Sequence, residues 1–550
     1  MLLLDPIAGN LGEKNAAHLL RRATFGPTIE DIKQFSGKTV SQAIDILFTV
    51  PLFPGPPVDP KTGNTWLNPK ATAGLNSDNG LLIDYFIAWH LDQMRTSGTN
   101  IRERIVFFLH SHLPTRRTVV DSSEAMYYQN CLFRYYSFGS FKDLFKKICI
   151  DNAMLIYIDG RLNINQWPNE NFAREMLELY SIGKGLQIGD GNYTNYTEQD
   201  IKEAARVLSG YKNDTTYTNL DIDTNIPIGK LEVSGVRAML HDSGTKTFST
   251  AFQNTVITPS ATDGGYATAT AAIAELSAMI DMIFNQDETA RFLCRKLYRF
   301  FVYYKITPEV ETQVIVPLAQ IFKSSGYNLK TVISTLLSSQ HFYDLDNTVT
   351  SDNNIAALIK SPIELILGGL RFFNISFPAT NSQSFYDDGY RNGVSQLILD
   401  QGLEFYEPYD VAGYDAYFQI PDYNRNWITP INLANRYLFS QMLIENINRG
   451  GTGASVKVDL IAFIDNSQHV SDPSDATSVV KAFTDYLFAV EINNDRFNYF
   501  LNSIFLESLA AYNWTNEWNA YKAGGSNATV KLQLETLVTR LIQTPEFQLF

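Results

Sequence analysis

NENFAREMLELYSIGKG, Asn169 to Gly185, is the stretch whose reading decides the fold. Phe172, Met176, Leu179 and Tyr180 recur at i, i+4, i+7 and i+8, the period of one helix face. Glu170, Arg174 and Glu178 recur at i, i+4 and i+8 on another face, so the spacing predicts an amphipathic helix with a carboxylate–guanidinium–carboxylate ladder. The same period runs upstream through EKNAAHLLRRATF, where Ala17, Leu20, Ala23 and Thr24 carry the stripe and Gly26-Pro27 stop it. Thr28 then caps a second helix by accepting from the Asp31 N–H. A Pro/Gly/Asn-rich stretch from Pro51 to Lys70 is too long for a plain connection, and helices resume at LLIDYFIAWHLDQM.

Downstream, residues 210–265 change to Thr, Asn, Asp and Gly with short β-branched runs such as KLEVSGV and NTVIT, the signature of hairpins or an irregular insert. Helical periodicity returns beyond Tyr266 and is interrupted only by an aromatic stretch between Gln401 and Pro430. The expected fold is therefore mainly α, a single large multi-helix assembly with a small β-hairpin insert around 210–265 and a long aromatic loop around 401–430. VISTLLSSQHFYD and LVTRLIQTPEFQLF echo each other, which suggests a duplicated helical unit.

A length of 550 residues allows roughly three or four domain-sized units, and 45% hydrophobic residues can bury a large core, which excludes wholesale disorder. The balance of 44 Lys+Arg against 58 Asp+Glu is −14, which argues against a general nucleic-acid binder. Cys131, Cys149 and Cys294 have no zinc spacing and cannot build a complete disulfide framework. MLLLDPIAGNLGEKNA lacks a basic n-region and meets Asp5-Pro6 at once, so no Sec-type export is expected and the nominal location is the cytoplasm. Apolar runs such as IVFFL fall far short of a membrane span.

Several groups are chemical candidates. In the opening stretch Arg174 either ties a surface ladder or orients Glu170 and Glu175 toward a ligand or metal. RERIVFFLHSHLPTRR holds His110 and His112, which diverge by about 200° on a helix and share a metal only if the helix has ended, an ending that Pro114 favours. No motif calls for a cofactor, and a divalent metal at these histidines is the open option. HDSGTKTFST offers His241, a carboxylate, hydroxyls and Lys246, but without a G-x-S-x-G elbow it reads first as a structural turn. DGNYTNYTEQD has Ile201 at position twelve and is no EF-hand, while Thr197 with Asp200 looks like a helix cap.

ETARFLCRKLYRFFVYYK lines up Arg291, Arg295 and Arg299 beside an apolar stripe, either internally paired or docked on an acidic partner or on the chain's own Glu170/Glu178 face. In the aromatic stretch, Tyr406, Tyr409, Tyr414, Tyr417, Tyr423 and Trp427 alternate with carboxylates, a composition suited to sugar faces, to a protein interface or to simple packing over helix ends.

Taken in order, these phrases resemble the bacterial domain of unknown function 1800 family. The matching phrases are AAHLLRRATFGPT, FLHSHL, NENFAREMLELYSIGKG with YTEQDIKEAARVLSGY, HDSGTKTF, ARFLCRKLYRFFV, LKTVISTLLSSQHF, SPIELILGGLRFF, EPYDVAGY and PEFQLF. The family pattern usually reads W-H-N-H-F where this chain has Leu109 to Leu113, and P-P-N-V-x-G-W where it has Glu407 to Tyr414. Both histidines persist; Ser111 and Tyr414 depart. The resemblance implies one continuous helical unit over 1–550, with sub-units 1–209, 210–265 and 266–550, and it brings no agreed activity. By association with domain of unknown function 1501 proteins and with bacteria of elaborate surfaces, it implies an envelope role and a link to secreted surface proteins. Two functions are therefore expected to compete. One is a non-enzymatic binding or assembly protein with a protein or glycan partner. The other is a hydrolase of surface polysaccharide or its esters, using Glu170 or Glu175 with His110, His112 or His241.

Overall fold

Helix starts follow the capping chemistry written in the sequence. The Thr28 hydroxyl accepts from the Asp31 N–H at 3.1 Å while the Asp31 carboxylate accepts from the Thr28 N–H at 3.0 Å. The same reciprocal box starts the helices after Thr39, Thr197 and Ser361. The computed structural model describes residues 3–67, 78–345, 354–450 and 453–550. Within them the chain is mainly α-helical, and no helix is long and apolar enough to cross a membrane. Residues 68–70, the far end of the Pro/Gly/Asn stretch, lie outside the described residues.

NENFAREMLELYSIGKG departs from a uniform α-helix. Glu170–Glu175 is α-helical, and Met176–Ser181 continues as a π-helical turn. Wider winding keeps Phe172, Met176 and Tyr180 buried but leaves Leu179 half-buried. It also rotates Glu178 off the Arg174 row, so the predicted ladder forms only in its first rung.

Apolar residues from Ile7 to Phe547 join one connected buried cluster. Distant segments meet there through backbone contacts that tolerate no side chain. Gly26 has φ +104°, and a Cβ on it would stand 2.7 Å from the Gly368 Cα. Buried arginines tie the same junction. Arg22 donates to the carbonyls of Val302 and Asn354, and Arg371 donates to those of Gly26, Arg95 and Gly98. Four two-stranded antiparallel pairs fall between Tyr211 and Ala267, as the composition predicts, and a fifth joins Gln187–Gly189 to Asn192–Tyr193.

The two echoing phrases have matching local structure. Helices Leu329–Ser338 and Ala528–Ile542 are each followed by a hydroxyl, Ser339 or Thr544, that donates at 2.7 Å to the carbonyl three residues back. Three residues beyond each hydroxyl comes a buried phenylalanine, Phe342 or Phe547.

The aromatic stretch 401–430 is no open loop. It holds a short helix, Asp415–Phe418, and a 3-10 turn, Tyr423–Trp427, and most of its rings point inward.

Candidate functional site

The site is organised by helix Arg102–His112, buried along its whole length. It ends at Leu113, before Pro114, and this ending sends the two histidines to separate partners. His110 Nε2 lies 3.0 Å from the Tyr414 hydroxyl, which also accepts from the Tyr406 N–H at 2.9 Å. Tyr406 in turn reaches His90 Nδ1 at 3.0 Å, and Asn130 donates to the Tyr406 hydroxyl. Glu103 and Arg134 form a buried ion pair beside this network. Burial pushes the His110 imidazole down to about 3, so it is neutral in the fold.

His112 turns the other way. Its Nε2 donates to the Tyr180 carbonyl at 3.0 Å, leaving Nδ1 of the neutral ring as a lone-pair acceptor. Burial first, and then the nearby Lys296, push this imidazole down to about 3. The helix end thereby joins two of the sequence phrases, because Tyr180 closes the π-helical turn and its hydroxyl donates to the Val411 carbonyl at 2.9 Å. Val411 belongs to EPYDVAGY. Gly413, φ +102°, lets that segment lie against the histidine helix: a Cβ there would stand 2.4 Å from the Ser111 carbonyl oxygen. Ser111 and Tyr414 thus sit where these two segments touch.

Beside this contact lies a cavity of about 40 Å³, room for roughly three water-sized positions. His112, Lys296, Arg299, Glu364, Tyr423, Asn424 and Trp427 are among the residues lining it. Its charges are not balanced in the ordinary way. The carboxylate of Glu364 is committed to the buried Arg104. The Lys296 ammonium has no carboxylate or other hydrogen-bond acceptor among the described residues; it stands over the Phe292 ring, 5.5 Å from its centre. Burial, and then the adjacent Arg299, push it down to about 8. Arg299 gives one N–H to the Tyr304 carbonyl at 3.3 Å and stacks over the Tyr423 ring, again without a carboxylate among the described residues. Asn424, only 8% exposed, has its Nδ2 buried with no acceptor.

The remaining predicted residues disperse. Arg291 and Arg295 pair with Glu288, and Arg295 also makes a two-pronged contact with Glu311, so neither docks on the Glu170/Glu178 face. Arg174 holds Glu198 through two hydrogen bonds of 2.7 and 2.9 Å and reaches Glu170 only at 3.8 Å. Glu178 takes Lys184 and the Tyr196 hydroxyl instead. His241 lies between the Ser209 carbonyl and Glu275, beside Lys246, in a separate buried cluster. Glu175 stands half-buried with no ion pair among the described residues. Burial first, then Glu178 and Asp410, push its carboxyl up to about 7.

Of the aromatic candidates, Tyr417, Tyr423 and Trp427 line the cavity, Tyr406 and Tyr414 belong to the histidine network, and Tyr409 is exposed. Among the described residues, no three His, Cys, Asp or Glu side chains are grouped as metal ligands.

Sequence reasoning did not single out Lys296, Asn424, Glu364 or His90. For Lys296 a signal existed: it falls four residues after Phe292 and four before Phe300, on the border of the apolar stripe rather than on the arginine row. Asn424 gave none, since an Asn in a polar turn is unremarkable until its surroundings are known.

Fold and cavity together define a mainly helical protein that closes aromatic rings and uncompensated cations around one small space. The chain belongs to the family described as protein of unknown function (DUF1800), whose match covers residues 18–549. Neither a curated protein nor a solved structure matches it.

Proposed function

We propose that the protein is a non-enzymatic binding or assembly protein of the bacterial cell envelope, contacting a glycan or protein partner through the cavity walled by the 401–430 segment. One observation carries this reading: Lys296 and Arg299 line a cavity with no ion pair of their own among the described residues, whereas Arg104, Arg134 and Arg295 are each held by a carboxylate and the buried Arg22 and Arg371 by several backbone carbonyls. Leaving cations uncompensated in a low-dielectric wall costs stability, and a ligand that supplies the missing charge accounts for it. The envelope setting, and a secreted surface protein or a domain of unknown function 1501 protein as partner, are supported by the family association. The test is retention of isolated surface polysaccharide and envelope protein on the immobilised chain. Saturable retention that is lost in Trp427→Ala is expected; equal retention by both forms contradicts the reading.

A second reading, a hydrolase, is favoured by Glu175. A carboxyl raised to about 7 at the start of a π-helical turn is suited to give and take a proton near neutral pH. Release of new reducing ends or free acids from the same polysaccharide, abolished by Glu175→Gln, would establish it in place of the binding reading.

A further inference from the structure

What enters the cavity is set by its donors and its size, and the inference rests on the binding reading above. Lys296 brings an ammonium with no acceptor among the described residues, and with its proton lost only near 8 it is mostly charged at neutral pH. Arg299 gives one N–H to the Tyr304 carbonyl and meets the Tyr423 hydroxyl, which leaves others of its five N–H groups free. The Asn424 Nδ2 is buried without an acceptor. Glu364, the acid on the wall, has both oxygens committed elsewhere: one pairs with Arg104 and the other accepts from the Ser361 N–H. Water in the space answers Asn424 but leaves both cations uncompensated, whereas an anion answers all three.

Size then selects the anion. About 40 Å³ holds roughly three water-sized positions, which a carboxylate group fills with its carbon and two oxygens. Phosphate and sulfate each bring a larger, tetrahedral group, and chloride fills a single position and leaves donors unserved. The apolar part of the lining, Phe300 and Ile359 among it, suits a methyl or methylene behind the carboxylate. We propose that the cavity is a carboxylate site for a group no larger than acetate, with Lys296 and Arg299 as its charge partners and Asn424 as a further donor. A free short-chain acid and the acidic side chain of a protein partner both present this group. Neither calls on an aromatic face: Tyr423 and Trp427 are buried in the wall, and Arg299 covers the Tyr423 ring.

The test is titration of the full chain at pH 7 and constant ionic strength with formate and acetate, followed by ligand-observed NMR. Acetamide, the neutral counterpart of acetate, serves as comparator beside chloride, phosphate and N-acetylaspartate α-amide. A ligand this small binds no tighter than about tens of micromolar, so the titration runs to tens of millimolar. Expected are saturable binding of both acids, no binding of acetamide, and a loss of about tenfold or more in both Lys296→Met and Arg299→Met. Circular dichroism and melting confirm that both variants are folded. Should either fail to fold, Asn424→Ala takes its place, with weakened acetate binding expected. Equal binding of acetamide, or affinity unchanged in the folded variants, overturns the proposal. Tighter binding of chloride or phosphate than of acetate overturns the carboxylate assignment while the binding reading stands. Tighter binding of N-acetylaspartate α-amide than of acetate supports the site and assigns the group to a partner's side chain; the reverse order supports it and assigns a free acid. No response to any carboxylate overturns the proposal alone, because retention of envelope material tests the broader reading independently.

Discussion

Helix Asp287–Phe301 presents two faces that treat positive charge in opposite ways. On one, Arg295 is held by Glu288 and Glu311 in contacts of 2.6 to 2.9 Å, a closed arrangement that needs nothing from outside. On the other, one residue along, Lys296 faces aromatic rings and a cavity whose carboxylate, Glu364, is held by Arg104, and Arg299 follows one turn later. Both faces carry cations at helical spacing, so sequence cannot rank them. The difference teaches that a cation's role is read from what compensates it: Arg295 is tied into the fold by two carboxylates, whereas Lys296 has none among the described residues.

The contrast can be broken at several points. The largest effect is expected where a buried pair is cut: Arg104→Ala leaves Glu364 charged and alone beside the cavity and should cost about 3–5 kcal/mol in chemical denaturation. A loss below 1 kcal/mol would mean that Glu364 is free to serve a ligand. Next, Tyr414→Phe removes the hydroxyl that serves His110 and the Tyr406 N–H, and about 1–3 kcal/mol should go with it.

Acid sharpens the comparison further. His110 and His112 are held near 3 in the fold against 6.5 in the unfolded chain, so the unfolded state binds protons first. Stability is then fully present above about 6.5 and falls as pH drops toward 3, by up to about 1.4 kcal/mol per pH unit for each imidazole. Denaturation midpoints that do not move between pH 7 and pH 5 would contradict this. Smallest is Arg174→Ala, since its contact with Glu198 is one-third exposed. A loss of about 1 kcal/mol or less is expected, and unchanged melting would show that the guanidinium is no internal tie.

Much of the fold was legible because it is local. The capping boxes at Thr28 and Thr197, the tight hairpins that pair Val233 with Ala238 and Asp263 with Tyr266, and the helix end before Pro114 each depend on residues a few positions apart. The π-helical turn after Glu175 was not legible, because MLELYS fits an α-helix equally well. The site was half legible. Aromatic residues 417, 423 and 427 and Arg299 were named from composition and do share a cavity. Arg291 and Arg295 carried the same signal, yet their carboxylates come from the chain itself, Glu311 among them, and nothing in the arginine row announces that pairing. Asn424 and Lys296 gained meaning only from the absence of partners, a property of space and not of spacing.

The unfolding free energies of Lys296→Met and Arg295→Met, measured from pH 7 to pH 10.5 beside the unaltered chain, test the two-faced helix most directly. Around Lys296 stand Arg299 and Arg295 of its own helix, His112 and Glu364 from the helices packed against it, and Tyr304, Tyr417 and Tyr423 from the flanking segments. Its proton is lost near 8 in the fold and near 10.5 when unfolded, so the unaltered chain should gain stability relative to Lys296→Met across that interval. The account predicts that Arg295→Met is destabilised at pH 7 while Lys296→Met is as stable as the unaltered chain or more so. A loss in Lys296→Met equal to that in Arg295→Met would show that the ammonium already has its partner within the fold, and would contradict the account.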